Sequence, residues 1–543
     1  MAHGPVADPR LARAAASVGS EASAGGEVSA GGEASAGGEA SAGGEALGRA
    51  AGARTRGWRW LALRRPSPTA AQLQAMRDTW LALWTSRLLI WVAGVGAVLA
   101  FGLARLHDVF HPPHVTSGFG WLGDLLAAPA ARWDGAWYLV IAHYGYAPEL
   151  AAYGTASRAA FFPLYPLGLR LLSDTGLPAV AAGIALSLLA FAAALYGIHR
   201  LTSLELGRLG GGRLGRERIG GDVAQRLGGD APRLAVLAVA LSPMAFYFSA
   251  IYSESLYLAL SVGVFWSARQ GRWAWVGVLG ALASATRSAG LVLLVPAALL
   301  YLYGPRADRP PDGQEEILVF GGVCARVRAR ARAGAHTPQI VKTLRSVVKT
   351  LRPRYRPRLD ALWLLLLPLG VVAYMAYLAL AGGSALMPFH AQEVWNREFA
   401  GPYVAVWDGA RAAFDGLRQL LSFQRRHIYF RLAGGDPFVD AWHNLMLFAF
   451  LLAAVPALVG VLRRLPLAYG AYVVSALALP LSYPVAAQPL MSLPRFEVVL
   501  FPLFIWLGAW LAERPRARPL ALGISALLLV GFVGQFATWH WVA

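Results

Sequence analysis

Cysteine is almost missing from this chain, with one residue, Cys324, in 543. A lone cysteine excludes an intramolecular disulfide framework and any cysteine-based metal cluster. Charge is scarce as well. Only 15% of residues are charged against 57% hydrophobic, which excludes an ordinary soluble multidomain enzyme and is typical of a polytopic membrane protein. Of the 49 basic residues only Lys342 and Lys349 are lysines, an arginine bias that points to a GC-rich bacterial genome. No apolar run follows the first residues, so no cleavable signal peptide is expected. There is no P-loop and no strand followed by GxGxxG, which leaves ATP or a cytosolic nucleotide sugar unindicated as an energy source. No symmetry between two halves is visible, which counts against a transporter of the inverted-repeat kind.

What the chain does have is apolar runs, recurring from Leu88 to the C-terminus, each about 15 to 25 residues long and so close to the length that crosses a bilayer. The expected architecture is an all-α polytopic membrane domain over 71–543 with about 11 transmembrane helices. Their approximate spans are 81–105, 176–200, 232–251, 254–268, 273–287, 289–303, 361–381, 441–462, 466–484, 496–512 and 519–539. The net charge of +19 sits mainly in arginine-rich connections, the positive-inside signature of a membrane protein rather than a nucleic-acid-binding one. This threading puts 201–231, the basic loop 304–358 and 513–518 in the cytoplasm, and two large loops, about 106–174 and 382–440, outside. FFPLYPLGLRLL at 161–172 is short and broken by Pro163 and Pro166, so it reads as a re-entrant or interfacial helix. Residues 1–70, where EASAGG repeats about four times from Glu21 to Glu45, read as a disordered cytoplasmic terminus.

Against this apolar background a few charged positions stand out, and all fall on the expected outer face. Asp134 lies in RWDGAWYLVIAHYGY beside Arg132. Tyr252, Ser253 and Glu254 sit in FSAIYSESLY, Arg287 in SATRSAG and Arg495 in SLPRFEVVLF. An ionisable residue at the edge of an apolar helix implies a partner or a function. Plainer readings stand beside the functional one: Asp134 as the cap of a helix starting at Gly135, Glu254 and Arg287 as a structural ion pair, and Arg495 as a snorkelling side chain. His143 lacks carboxylates at ligand spacing, so no metal site is expected from it.

An outward carboxylate with arginines at the membrane boundary suits a donor already in the membrane. Arginine's planar fork matches phosphate oxygens, and a lipid chain fits an apolar groove. An aspartate then serves as general base on an acceptor hydroxyl while arginines stabilise the departing phosphate, a good leaving group that needs no second carboxyl as acid.

In order along the chain, RWDGAWYLVIAHYGY, AAFFPLYPL, LSPMAFYFSAIYSESLYLAL, ASATRSAGLV and PRFEVVLFPL resemble the GPI mannosyltransferase 2 family, also called PIG-V, and its bacterial relatives. The resemblance runs from about Arg132 to Pro502. It implies a GT-C type glycosyltransferase that takes a sugar, mannose by preference, from a polyprenyl or dolichyl phosphate and passes it with inversion to an extracytoplasmic lipid or glycan acceptor. By the same resemblance Asp134 is the base, and Tyr252, Ser253, Glu254, Arg287, Tyr146 and Arg495 match family positions; the expected roles are donor or phosphate contacts for Arg132, Arg287 and Arg495, and the acceptor side or its support for Tyr252, Ser253, Glu254, His143 and Tyr146. The expected setting is a bacterial plasma membrane with the site on the extracytoplasmic face. No cofactor is expected beyond the lipid-linked donor, and the sequence leaves a divalent ion undecided. His143 departs from the acidic residue that eukaryotic members often have, and a bacterium lacks their GPI precursor. A transporter or flippase of polyprenyl-linked sugars, or an inactive scaffold, is the alternative.

Overall fold

The computed structural model describes residues 68–103, 120–146, 158–211, 221–308, 353–381, 383–423, 436–486 and 488–542. The EASAGG repeats, Cys324, both lysines and most of the basic loop lie outside these residues.

Thr69 starts the first helix with a reciprocal cap. Its Oγ1 accepts from the Gln72 amide at 3.3 Å, and the Gln72 side chain accepts from the Thr69 amide at 2.7 Å. Helix α1 then runs Ala70–Phe101, beginning eleven residues earlier than hydropathy suggests. The early turns are polar, yet Asp78 is buried there against His199 at 3.1 Å. His199 belongs to α5, which follows α2 (Gly120–Ala127), α3 (Gly135–Tyr144) and α4 (Leu164–Ser173) and spans Ala179–Gly211. Helix α4 has ten residues, ~15 Å, too short to cross a bilayer.

Helix α6 covers Gly221–Ala240, so the apolar stretch expected to be helical to 251 leaves the helix at Ala240. Ser242-Pro243 explains the break, because proline disfavours the helical conformation of the residue before it. Arg87 of α1 fills the gap. It donates to the carbonyl of Ala245 at 2.9 Å, to Ser249 Oγ at 2.6 Å and to the final carbonyl of α6, that of Ala240, at 3.3 Å. Its guanidinium also rests 4.7 Å from the Phe191 ring centroid. The irregular segment that results delivers Tyr252 to the start of α7 (Glu254–Arg269).

Beyond α7 come α8 (Trp273–Thr286), a 3₁₀ segment Ser288–Leu293, and α9 (Leu294–Tyr303). Leu359–Leu366 and α10 (Leu369–Leu380) make a pair bent by 44°. The short α11 (Met387–His390) and the long α12 (Pro402–Ser422) follow. Then come α13 (Pro437–Arg464), α14 (Leu467–Leu481), α15 (Leu493–Glu497), α16 (Phe501–Glu513) and α17 (Arg518–Ala537). Helix α6 packs between α5 and α16, α7 between α5 and α8, α1 against α17, and α12 against α13.

Among the described residues four helices are long and apolar enough to cross a membrane, α1, α5, α13 and the last one, and the bent pair makes up to five. That is fewer than the eleven expected. Most of the other expected spans are occupied by apolar helices of 10–17 residues, shortened by the irregular turns that carry Tyr252, Arg287 and Arg495. The second expected outer loop is not simply loop, since α12 occupies 21 residues of it. Its buried stripe consists largely of small residues, Ala405, Gly409, Ala412, Ala413 and Gly416, while Trp407, Phe414 and Leu421 face outward. Small residues inside let the helix pack closely, and the large apolar side chains outside share their face with the exposed Arg411 and Arg418.

At the far end of α7 a buried ion pair ties three helices. Arg269 Nε donates to Glu205 Oε1 at 2.5 Å, Tyr469 Oη donates to the same oxygen at 2.8 Å, and Arg269 Nη1 donates to the Pro305 carbonyl at 2.6 Å. Removing one charge leaves the other uncompensated, which costs about 3–5 kcal/mol. Arg269→Met is therefore expected to lower the melting temperature in detergent sharply. The double variant Glu205→Leu with Arg269→Met should recover most of the loss, and equal melting temperatures for the single variant and the wild type would refute the pairing.

Candidate active site

At the near end of α7 the charged residues flagged in the sequence converge. Glu254 is fully buried at the first position of the helix and accepts two guanidinium groups. Arg287 Nη1 donates to Glu254 Oε1 at 2.6 Å, and Arg495 Nε donates to the same oxygen. Arg495 Nη1 reaches on to Asp134 Oδ2 at 2.5 Å. The chain Asp134–Arg495–Glu254–Arg287 thus joins segments that are up to 361 residues apart. The Arg495 guanidinium lies 4.7 Å from the Tyr252 ring centroid, and that of Arg287 lies 5.3 Å from Phe496.

Asp134 precedes α3, but its carboxylate makes no capping hydrogen bond to that helix. The capping reading therefore gives way to the ion pair with Arg495. Its backbone amide donates to Tyr252 Oη at 3.1 Å, and the same hydroxyl donates to the Arg132 carbonyl at 3.1 Å. Tyr252 thereby fixes the turn that presents Asp134. Ser253 Oγ pairs with Tyr138 Oη at 2.9 Å.

Asp134, Arg287 and Arg495 line a cavity of about 740 Å³. Its other walls come from Tyr257 of α7 and from the segments 388–399 and 476–500, with Phe161 and Trp541 at the edge. Asp134 Oδ1 makes no hydrogen bond to the described residues, and a quarter of the side chain remains exposed. Among the described residues no three His, Cys, Asp or Glu side chains cluster as metal ligands would.

Three of the expected site residues stand elsewhere. Arg132 is buried and turns away, donating from Nε to the Ala537 carbonyl at 3.3 Å with its guanidinium 5.1 Å from Trp539. His143 is exposed and stacks edge-on against Tyr144. Tyr146 donates to the Phe161 carbonyl at 2.6 Å, supporting the wall without lining the cavity. The residue missed was Arg397, which lines the cavity from the second expected outer loop. The signal for it was weak, an arginine in a polar stretch where arginine is unremarkable.

The cavity also concentrates backbone strain. Trp133, Asn396 and Ser492 adopt positive φ angles of 55°, 53° and 66°, and they stand one, one and three residues before Asp134, Arg397 and Arg495. A non-glycine residue there costs about 1–2 kcal/mol and persists only when its surroundings impose it. Ser492→Gly is expected to keep or raise the melting temperature, whereas Ser492→Val should lower it and loosen Arg495. The reverse order would show that Ser492 is held by its side chain instead.

No curated protein and no solved structure matches the chain. Residues 120–299, about a third of the sequence, match the model of the mannosyltransferase (PIG-V) family. The match takes in Asp134, Tyr252, Ser253, Glu254 and Arg287, and it stops short of Arg397 and Arg495. It supports the PIG-V resemblance carried by the motifs and, with the long apolar helices, a membrane glycosyltransferase of the mannosyltransferase class.

Proposed function

We propose that the protein transfers mannose, with inversion, from a polyprenyl phosphate donor to a lipid or glycan acceptor on the extracytoplasmic face of a bacterial plasma membrane, as a GT-C enzyme. The observation that carries the reading is Asp134 itself. One carboxylate oxygen is anchored on Arg495, and the other stands free at the wall of a cavity large enough for a sugar.

In this reaction the acceptor hydroxyl attacks the anomeric carbon from the face opposite the phosphate. Asp134 takes the hydroxyl proton as the new C–O bond forms. The bond between the anomeric carbon and the phosphate oxygen breaks, and its electron pair leaves with polyprenyl phosphate. A phosphate leaves without protonation, so one carboxylate suffices. The geometry suits that division of labour, because the second carboxylate, Glu254, is fully buried and committed to two arginines. Arg495 and Arg287 each keep unused N–H donors for the phosphate oxygens. The arginine-rich connections favour the cytoplasm for the opposite end of the helices, which supports an outward-facing cavity.

The deciding experiment compares wild-type protein with Asp134→Asn in the transfer of labelled mannose from polyprenyl phosphate mannose to membrane lipid extract. Loss of general base catalysis is worth about 10²–10⁴-fold. The variant is expected to lose transfer by that order while keeping its melting temperature. Retained activity would sink the base assignment, and binding without any transfer by the wild type would favour the transporter.

A further inference from the structure

Among the charged groups of the cavity, Arg397 alone is left without a carboxylate partner within the described residues. Arg287 and Arg495 are both claimed by Glu254, and Arg495 also by Asp134. Arg397 has only two long contacts to backbone carbonyls, Nη1 to Tyr483 at 3.4 Å and Nη2 to Met491 at 3.3 Å. Glu393 and Glu398 also border the cavity, but both are exposed and neither forms an ion pair with it. His390, Gln392 and Asn396 are the other polar residues of segment 388–399 on the lining.

The position is fixed rather than loose. Asn396 takes the left-handed conformation, and its amide donates to the Glu393 carbonyl at 2.9 Å. The Arg397 amide donates to the Gln392 carbonyl at 3.2 Å, and Arg397 pairs as an isolated antiparallel bridge with Val485. Three residues on, the Ala400 amide donates to the Ser482 carbonyl at 2.9 Å. A backbone held this firmly keeps the guanidinium at the cavity wall, while its two long contacts leave its donors available to a ligand.

Charge then says which ligand. Asp134, Glu254, Arg287 and Arg495 sum to zero as an ion-paired cluster, Glu393 and Glu398 are exposed to solvent, and Arg397 is the one cation on the lining that forms no ion pair among the described residues. Burial, reinforced by the cation of Arg495 and opposed by Asp134, lowers the Arg397 guanidinium to about 10. It stays protonated at neutral pH, and an anion would relieve the cost of its burial. A phosphate ester offers that charge with the oxygen geometry a guanidinium fork matches.

We propose that Arg397 binds the phosphate of the prenyl-linked donor, with Arg495 beside it, so that the second expected outer loop closes the phosphate end of the cavity. This assignment rests on the proposed reaction for its lipid-linked donor, and on the geometry alone for its phosphate.

The test uses the full chain, purified in detergent, with farnesyl phosphate as probe in an equilibrium binding assay and inorganic phosphate as competitor. Arg397→Gln is expected to weaken farnesyl phosphate binding on the order of 10- to 100-fold, since hydrogen bonds to charged groups are worth about 1.5–3 kcal/mol. Arg397→Lys, which keeps the charge and loses the fork, should fall between. Where transfer is measured, the donor KM should rise by a similar factor with a smaller change in kcat. Wild-type affinity in a folded Arg397→Gln protein would overturn the proposal, as would absence of farnesyl phosphate binding by the wild type. If Arg397→Gln fails to fold, unchanged binding by Arg397→Lys overturns it and weakened binding supports it. Displacement by inorganic phosphate at equal concentration would overturn the lipid-linked assignment. The reaction and the residue fail separately: intact binding that depends on Arg397, without transfer, refutes only the reaction, and transfer that ignores Arg397 refutes only the residue.

Discussion

A fully buried carboxylate at the first position of α7 holds the site together. Glu254 draws one arginine from the turn after α8 and another from α15, 241 residues away, onto a single oxygen. Without that anion Arg287 would lose its carboxylate and Arg495 would keep only Asp134, and leaving buried charge uncompensated costs about 3–5 kcal/mol. With it, Arg495 is aimed at Asp134, and the turn before α3 acquires its ionic anchor. The helix start also suits the charge, because the positive end of the α7 dipole lies at Glu254.

The rest of the fold serves this arrangement by stopping helices early. Helix α6 ends at Ala240, α8 at Thr286, and α16 begins only at Phe501, each a turn or more from where hydropathy alone places it or joined to irregular backbone. Irregular backbone inside an apolar bundle is tolerable only when its carbonyls find donors. Arg87 provides them on one side, and Tyr252 ties the next turn to the segment before α3. At the other end of α7, ~22 Å away along the helix axis, Glu205, Arg269 and Tyr469 tie α5, α7 and α14 together. The helix is therefore pinned at both ends, which keeps the cavity wall from shifting along the bundle.

How far the sequence discloses this depends on the contrast each residue makes with its surroundings. Glu254, Arg287 and Arg495 are legible because a charge beside an apolar run needs a reason, and all three meet. Helices α7 and α8 are legible to within a residue because their apolar runs are bounded by charge and by Gly-Arg at 271–272. The first turns of α1 are hidden because their polar residues are buried against α5, a tertiary fact that local hydropathy cannot hold. Helix α12 is hidden for the opposite reason, its buried stripe being made of alanine and glycine. Arg132 misleads by proximity in sequence, since residues two apart near a turn point in different directions, and its guanidinium goes to Trp539. Arg397 is invisible because its half-buried setting depends on contacts with the distant Tyr483 and Met491 carbonyls.

The charge balance of the cavity also bears on rate. In the proposed reaction a donor phosphodiester enters with one negative charge and leaves as a phosphate monoester with charge closer to two. The extra negative charge grows on the bridging oxygen as the glycosidic bond breaks, so fixed cations near that oxygen bind the transition state more strongly than the donor. Arg287 and Arg495 are already neutralised by Glu254 and Asp134, which moderates their grip on the incoming donor while leaving N–H donors free to respond as charge develops. Arg397, which forms no ion pair among the described residues, supplies the initial attraction. A cavity with three bare arginines would hold the monoester product too tightly to turn over, and one with only the neutral cluster would have little to draw the donor in. Pairing two of three cations with buried or anchored carboxylates places the protein between those limits.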